Sequence, residues 1–280
     1  MGVLLLGEEK FCDISNHQPS TRAYIQGIKD WGAKAVVIKT TECDYFIDQT
    51  AADKKALIEE MGMLCHAYHF SHFASNAEAR AEAEFFSSRC EALGFDKAKT
   101  IMVNDVESPY MSTSKSALTE HCNTFTDRLK DLGWQRVDTY SGASWFTSRV
   151  DQSQLHANNF WCASYGAHPH KNFPGVKFNA WQYAADPQYG EAVYINGVVT
   201  DCNIDYNGFY TTPQSGGEGG DAPSDPIPEP EAPGDTDELN KLFEEILADA
   251  TLKLSTKEWC TSILGYLPMS QIFDKPPWLN

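Results

Sequence analysis

The sequence predicts an α/β fold: an irregular (β/α)8-like barrel over residues 1–212, then a flexible linker and a small, mostly helical C-terminal module. Three observations lead there. Strand-like runs alternate with helical patterns, polar and aromatic residues collect at the C-terminal ends of those runs, and the composition changes abruptly after Tyr210. Alternation of this kind implies parallel strands joined by crossover helices, in an open sheet or a closed barrel. A barrel gathers its strand ends around one mouth, as the second observation requires.

Along the chain, a short apolar strand ends at Asp13, and residues 35–41, 63–70, 101–107, 136–141, 160–165 and 178–183 follow as strand-like runs. Between them, Ser75-Asn-Ala-Glu78 is a capping box ahead of an Ala/Glu-rich helix that stops at Gly94. Leu118, Cys122, Phe125, Leu129 and Leu132 recur every three or four residues and end at Gly133, so one stripe of that helix faces a sheet. Residues 200–207 resemble an Asx-rich turn, without the downstream Glu that a calcium loop needs.

Residues 213–240 hold six prolines, five glycines and eight acids with no Lys or Arg, the composition of an extended linker. The linker is expected over 213–236. Beyond it, Leu239, Leu242, Phe243, Ile246, Leu247 and Ala250 fall at helical spacing within a module spanning 237–280. So short a module is marginal alone, and self-association or docking on a partner would stabilise it.

The formal net charge of −17 argues against nucleic acid and against anionic membrane surfaces. No apolar run is long enough for a signal peptide or a membrane span. Eight cysteines without a C-x-x-C pair suggest buried free thiols in a reducing compartment, and make a thiolate zinc site unattractive. No glycine-rich phosphate loop is present, and no cofactor is expected.

Chemistry concentrates at the ends of the strands. In Thr100-Ile-Met-Val-Asn-Asp-Val-Glu107 an apolar run closes on two carboxylates that a strand would place on one face. Like charges held together raise one pKa, and a carboxyl group protonated near neutral pH is what glycoside hydrolysis needs as its acid. Asp13, with Ser15 and Gln18 close by, and Asp201 and Asp205 add further acids, although each alone reads equally well as a turn residue. His66, His69 and His72 invite a metal site, but strand geometry sends His66 and His69 to opposite faces, so no metal is expected. Tyr68, Phe70, Tyr140, Trp145, Trp161, Tyr165, Trp181 and Tyr183 lie near the same strand ends as Lys39 and Glu42. Aromatic rings beside carboxylates favour a carbohydrate groove. Two other readings are a non-catalytic wall-binding protein on a degenerate barrel and a histidine-based metal deacetylase.

The ordered motifs Asp13-Ile-Ser-Asn-His-Gln18, Val37-Ile-Lys-Thr-Thr-Glu42, Ala67-Tyr-His-Phe70, Asp105-Val-Glu107, Tyr140-Ser-Gly142, Trp161-Cys-Ala-Ser-Tyr165, Ala180-Trp-Gln-Tyr183 and Asp205-Tyr-Asn207 resemble glycoside hydrolase family 25, the muramidases of phage endolysins and of some bacteria and fungi. The resemblance covers residues 11 to about 210. It implies cleavage of the β-1,4 bond between N-acetylmuramic acid and N-acetylglucosamine in peptidoglycan. It casts Glu107 as general acid, with Asp105, Asp13 and Asp205 as its accompanying acids and Asp201 as a second candidate for the last role. Lys39, Glu42, Tyr68, Phe70, Tyr140, Trp145, Tyr165, Trp181 and Tyr183 are the expected sugar-binding residues. The setting so implied is a phage lysin made in the host cytoplasm and released through a holin, or a virion-borne lytic component. Its C-terminal module would bind the cell wall or join copies of the chain.

Overall fold

The computed structural model describes residues 9–214, so the C-terminal module and all but Pro213 and Gln214 of the linker lie outside the described residues. In chain order the elements are β1 (Glu9–Ile14), α1 (Arg22–Asp30), β2 (Ala33–Glu42), β3 (Phe46–Ile47), α2 (Ala51–Glu60), β4 (Leu64–Phe70), α3 (Asn76–Ala92), β5 (Ile101–Asp105), α4 (Lys115–Asp131), β6 (Arg136–Gly142), α5 (Ala143–Ser148), β7 (Asn159–Ala163), α6 (Pro169–Asn172), β8 (Ala180–Ala184), β9 (Val193–Ile195) and β10 (Val198–Asp205).

The strands run β1-β10-β8-β7-β6-β5-β4-β2, and β2 returns to pair with β1, so eight of them close a barrel. β10 is antiparallel to both its neighbours, β1 and β8, while the other neighbours around the ring are parallel. That reversal makes the barrel irregular. β3 and β9 are hairpin additions on β2 and β10. The expected Asx-rich turn at 200–207 is therefore corrected: Val198–Asp205 is a strand, and turn chemistry begins only where the Asp205 carboxylate accepts from the Asn207 and Gly208 amides.

Two apolar layers follow from the two-residue period of each strand. Phe11, Val37, Val103, Tyr140, Trp161 and Tyr210 fill the interior, whereas Cys12, Val36, Met102, Val137 and Cys162 face the helices. The seven described cysteines are free thiols, six of them buried, and those on the strands serve as small apolar residues. Ser75 Oγ accepts from the Glu78 amide at 3.2 Å, and Glu78 Oε2 accepts from the Ala74 amide at 2.7 Å, which fixes the entry of α3. Past α4 the chain turns at Gly133 with φ +95, a left-handed backbone that the missing Cβ permits.

The segment after β10 plugs the barrel floor. Tyr210 stacks on Phe11 with ring centroids 4.4 Å apart, and its hydroxyl donates to buried Asp138. Asp205 holds this segment in place: Oδ2 accepts from the Tyr210 and Thr211 amides at 2.8 and 3.0 Å and from the Thr211 hydroxyl at 2.9 Å. Because β10 runs antiparallel, its C-terminal end, with Asp205 opposite Glu9, lies at the floor, while Asp201 lies opposite Asp13 at the mouth.

Candidate active site

The C-terminal ends of the parallel strands surround a cleft of about 840 Å³, within the range of small-molecule sites. Asp13 on β1, Lys39 and Glu42 on β2, Tyr68 and Phe70 on β4, Asp105 and Glu107 at β5, Tyr140 on β6, Tyr165 after β7 and Asp201 on β10 line it together. In the ring order β5 is four strands from β10 either way, so Glu107 and Asp201 stand on opposite walls. The aromatic residues of β4 and of β6–β7 form the flanks between them.

Each carboxylate has a distinct environment. β5 ends at Asp105, but the Val106 amide still donates to Tyr140 O at 2.9 Å, so the chain stays extended long enough to bring Glu107 into the same cleft. Asp105 is buried, and its Oδ1 has no hydrogen-bond partner among the described residues. Burial and then the neighbouring Glu107 push its pKa well above the usual carboxylate value. Glu107 opens to the cleft but is closed in by protein elsewhere; desolvation and the Asp13 charge raise its pKa, and Lys39 opposes them. Asp13 is buried and accepts from Gln182 Nε2 at 3.2 and 3.0 Å and from Asn203 Nδ2 at 2.8 Å. Desolvation still lifts it to about 6 against those bonds. Asp201 rises to about 8 through desolvation and then through the charges of Asp13 and Glu107.

A hydrogen-bonded frame holds these groups. Tyr140 and Tyr165 both donate to Gln182 Oε1, at 2.7 and 2.5 Å, while the Gln182 amide donates to Asp13. Asn203 repeats the pattern, accepting from Trp161 Nε1 at 2.8 Å while donating to Asp13. On the β2 side Lys39 pairs with Glu42 and lies over the Phe70 ring at 5.1 Å. His72 Nε2 stands 3.3 Å from Glu42. With His72 first and Lys39 next, these partners lower Glu42 to about 2, so it stays ionised.

Four of the expected residues do not reach the cleft. Asp205 is at the floor, its carboxylate occupied by the plug, and Asp201 stands at the mouth instead. Trp181 and Tyr183 flank inward-facing Gln182 and so point outward: Trp181 Nε1 donates to Ser164 O at 2.8 Å and its ring packs on His168. Trp145 sits on α5 beneath the Arg149 guanidinium, 4.1 Å from its ring centroid, and packs against the helix layer. Period-2 counting along Ala180–Ala184 could have exchanged Trp181 and Tyr183 for Gln182. Asp186, Gln188 and Tyr189, which also line the cleft, belong to a loop with no periodic signal.

The histidines occupy separate places. His66 accepts from the Ile101 amide at 3.2 Å and donates to Tyr210 O at 2.9 Å inside the barrel. His69 lies between β4 and the helices, bonded to Thr41 and to Glu82 at 2.8 Å each. Among the described residues no group of His, Cys, Asp and Glu has the arrangement of a metal site.

A family model, glycosyl hydrolases family 25, matches residues 12–192. The chain belongs to this family. It is thus a glycoside hydrolase, and the matched span contains Asp13, Asp105 and Glu107 but stops short of Asp201. No curated protein matches it. Among solved structures the chain is similar to the catalytic domain of endolysin ply40 from bacteriophage P40 of Listeria monocytogenes, with TM-score 0.61, 20% identity and coverage of 73% of this chain and 96% of that one. It is also similar to the modular autolysin LytC of Streptococcus pneumoniae in complex with a synthetic peptidoglycan ligand, with TM-score 0.60, 18% identity and coverage of 71% and 47%. A muramidase from Trichobolus zukalii aligns with TM-score 0.55, 21% identity and coverage of 71% and 94%. At these identities the likeness is one of fold, and the chain spans about half the length of LytC.

Proposed function

We propose that the chain is a muramidase, hydrolysing the β-1,4 bond between N-acetylmuramic acid and N-acetylglucosamine in peptidoglycan. The observation that carries this reading is the pairing of Glu107, raised by desolvation and like charge, with Asp13 and Asp201 across one cleft. Membership of family 25 and the likeness to a muramidase, to an endolysin domain and to an autolysin that binds a peptidoglycan ligand support the substrate.

In this reading Glu107 donates its proton to the glycosidic oxygen as the bond to the anomeric carbon breaks. The 2-acetamido carbonyl oxygen of the same sugar attacks that carbon from the other face, where Asp13 and Asp201 stand. A carboxylate there accepts from the acetamido N–H and makes the carbonyl more nucleophilic. Direct attack by a protein carboxylate is less well served. Both Asp13 oxygens already accept amide N–H groups, and desolvation and like charge raise Asp201 to about 8, which weakens it as an anionic nucleophile. Water then opens the cyclic intermediate, with the Glu107 carboxylate taking its proton. The Asp13 charge helps to keep the Glu107 proton in place, while burial and the neighbouring Glu107 raise Asp105 itself.

Mass spectrometry of peptidoglycan digests tests the bond: reducing ends at N-acetylmuramic acid are expected, and ends at N-acetylglucosamine would overturn the assignment. Glu107→Gln should lower turnover by roughly 10²–10⁴-fold, the usual contribution of a positioned acid. Near-wild-type release of muropeptides by that variant would remove Glu107 from the role. A phage endolysin acting on the wall of its host is the biological setting that fits the relatives. Among the described residues no helix is long and apolar enough to cross a membrane.

A further inference from the structure

The loop between β8 and β9 is built to hold an aromatic ring in the cleft. Its base is pinned where the Ala185 amide donates to Glu191 O at 3.1 Å. At its tip Asp186 accepts from the Gln188 amide through Oδ1 at 2.9 Å and from the Tyr189 amide through its carbonyl at 2.9 Å, a turn that fixes the direction of Tyr189. The Tyr189 side chain is 62% exposed, yet its ring stacks on Tyr165 with centroids 6.1 Å apart and planes 28° from parallel.

Gly190 makes the contact possible. Its φ is +156, and a Cβ there would stand 2.9 Å from Tyr165 Cβ and 3.3 Å from the Gly166 amide nitrogen, so any side chain pushes the loop off Tyr165. Tyr165 is itself immobilised by its hydroxyl bond to Gln182, the residue that also holds Asp13. An exposed tyrosine carried on a pinned turn, seated on a fixed ring and facing a cleft, is ordered without being buried. That arrangement suits a flat ligand with one apolar face. Its place at the β7–β8 side is two to three strands round the ring from Glu107 at β5.

We infer that Tyr189, seated on Tyr165, is a stacking platform for an outlying sugar of the glycan strand, with Asp186 and Gln188 beside it to accept and donate to sugar hydroxyls, so that the enzyme favours long strands over short ones. The inference rests on the muramidase reading. Tyr189 touches no reacting atom and acts on specificity alone.

The test uses the full chain and peptide-free peptidoglycan glycan strands, fractionated into the shortest strand the wild-type protein cleaves and into long strands. Tyr189→Ala should lower kcat/KM on long strands by about tenfold, mainly through KM, as expected for losing one aromatic contact worth about 1.4 kcal/mol. On the shortest strand it should change little. Tyr189→Trp should retain the preference for long strands, and Gly190→Ala, with Tyr189 intact but the loop lifted, should lose it. An equal loss on both lengths, or no loss on either, overturns the platform while leaving the muramidase reading standing. Failure of the wild-type protein to cleave either strand overturns that reading and the platform with it.

Discussion

Asp201 and Asp205 share a strand and a face, yet four residues of β10 span about 13 Å, enough to carry one to the mouth and the other to the floor. Residue type says nothing about which is which; only the direction of β10 does. Asp201→Asn should therefore cut peptidoglycan hydrolysis sharply while the protein still unfolds cooperatively. Asp205→Asn removes the anion that collects the amides of the plug, which should cost about 2–3 kcal/mol in urea unfolding and leave the turnover of folded protein near normal. The reverse pattern, with activity lost only in Asp205→Asn, would return the catalytic role to the floor residue. Asp13, Asp105 and Glu107 were legible because each closes an apolar run, and a run that ends in an acid marks a strand end. Gln182 was not: it carries no charge and lies between two aromatics that attract the eye first, although its amide joins Tyr140 and Tyr165 to Asp13.

At the scale of elements, β10 was hidden by an inverted pattern. Asp201, Asn203 and Asp205 point into the barrel while Cys202 and Ile204 face outward, so the polar face is the inner one and the run resembles a turn. Polar residues are tolerated inside because other strands supply their partners, as Asn203 finds in Trp161 and Asp13. β4 shows the same economy in His66, buried between the Ile101 amide and the Tyr210 carbonyl. Burial and, less strongly, the Arg136 charge lower its pKa from 6.5 to about 4, against the bond to the Tyr210 carbonyl. Below pH 6.5 the unfolded chain takes up a proton that the folded chain refuses, so stability declines as pH falls towards about 4, by about 3 kcal/mol over the window. His66→Gln can donate and accept at the same two places without titrating. Urea unfolding at pH 7 and pH 4.5 should show a smaller acid loss for His66→Gln than for the wild-type chain; equal losses would mean that His66 is protonated in the fold or unfolds elsewhere.

For the molecule as a whole, the cleft costs stability. Asp13, Asp105, Glu107 and Asp201 all have pKa values raised by desolvation, and like charge adds to the rise in the last three. A raised carboxyl group binds its proton more tightly in the folded state than in the unfolded one, so its unfavourable contribution grows as pH climbs from about 4 to the folded value. For Asp201 that window reaches about 8. Asp201→Asn, neutral at every pH, should thus raise the melting temperature, and by more at pH 8 than at pH 5, even as activity falls. A lower melting temperature at pH 8 would show that the ionised Asp201 is stabilised by a partner instead. The alternating α/β architecture, the ring of strand ends and three of the acids at its mouth are legible in local signals, the two-residue period of strands and carboxylates that close apolar runs. Which acid of β10 joins them, the turning of Trp145, Trp181 and Tyr183 away from the cleft and the entry of the loop bearing Tyr189 emerge from the assembled barrel. Those outcomes depend on strand direction, on which face of a strand is inside, and on contacts between residues far apart in the chain, none of which a local pattern encodes.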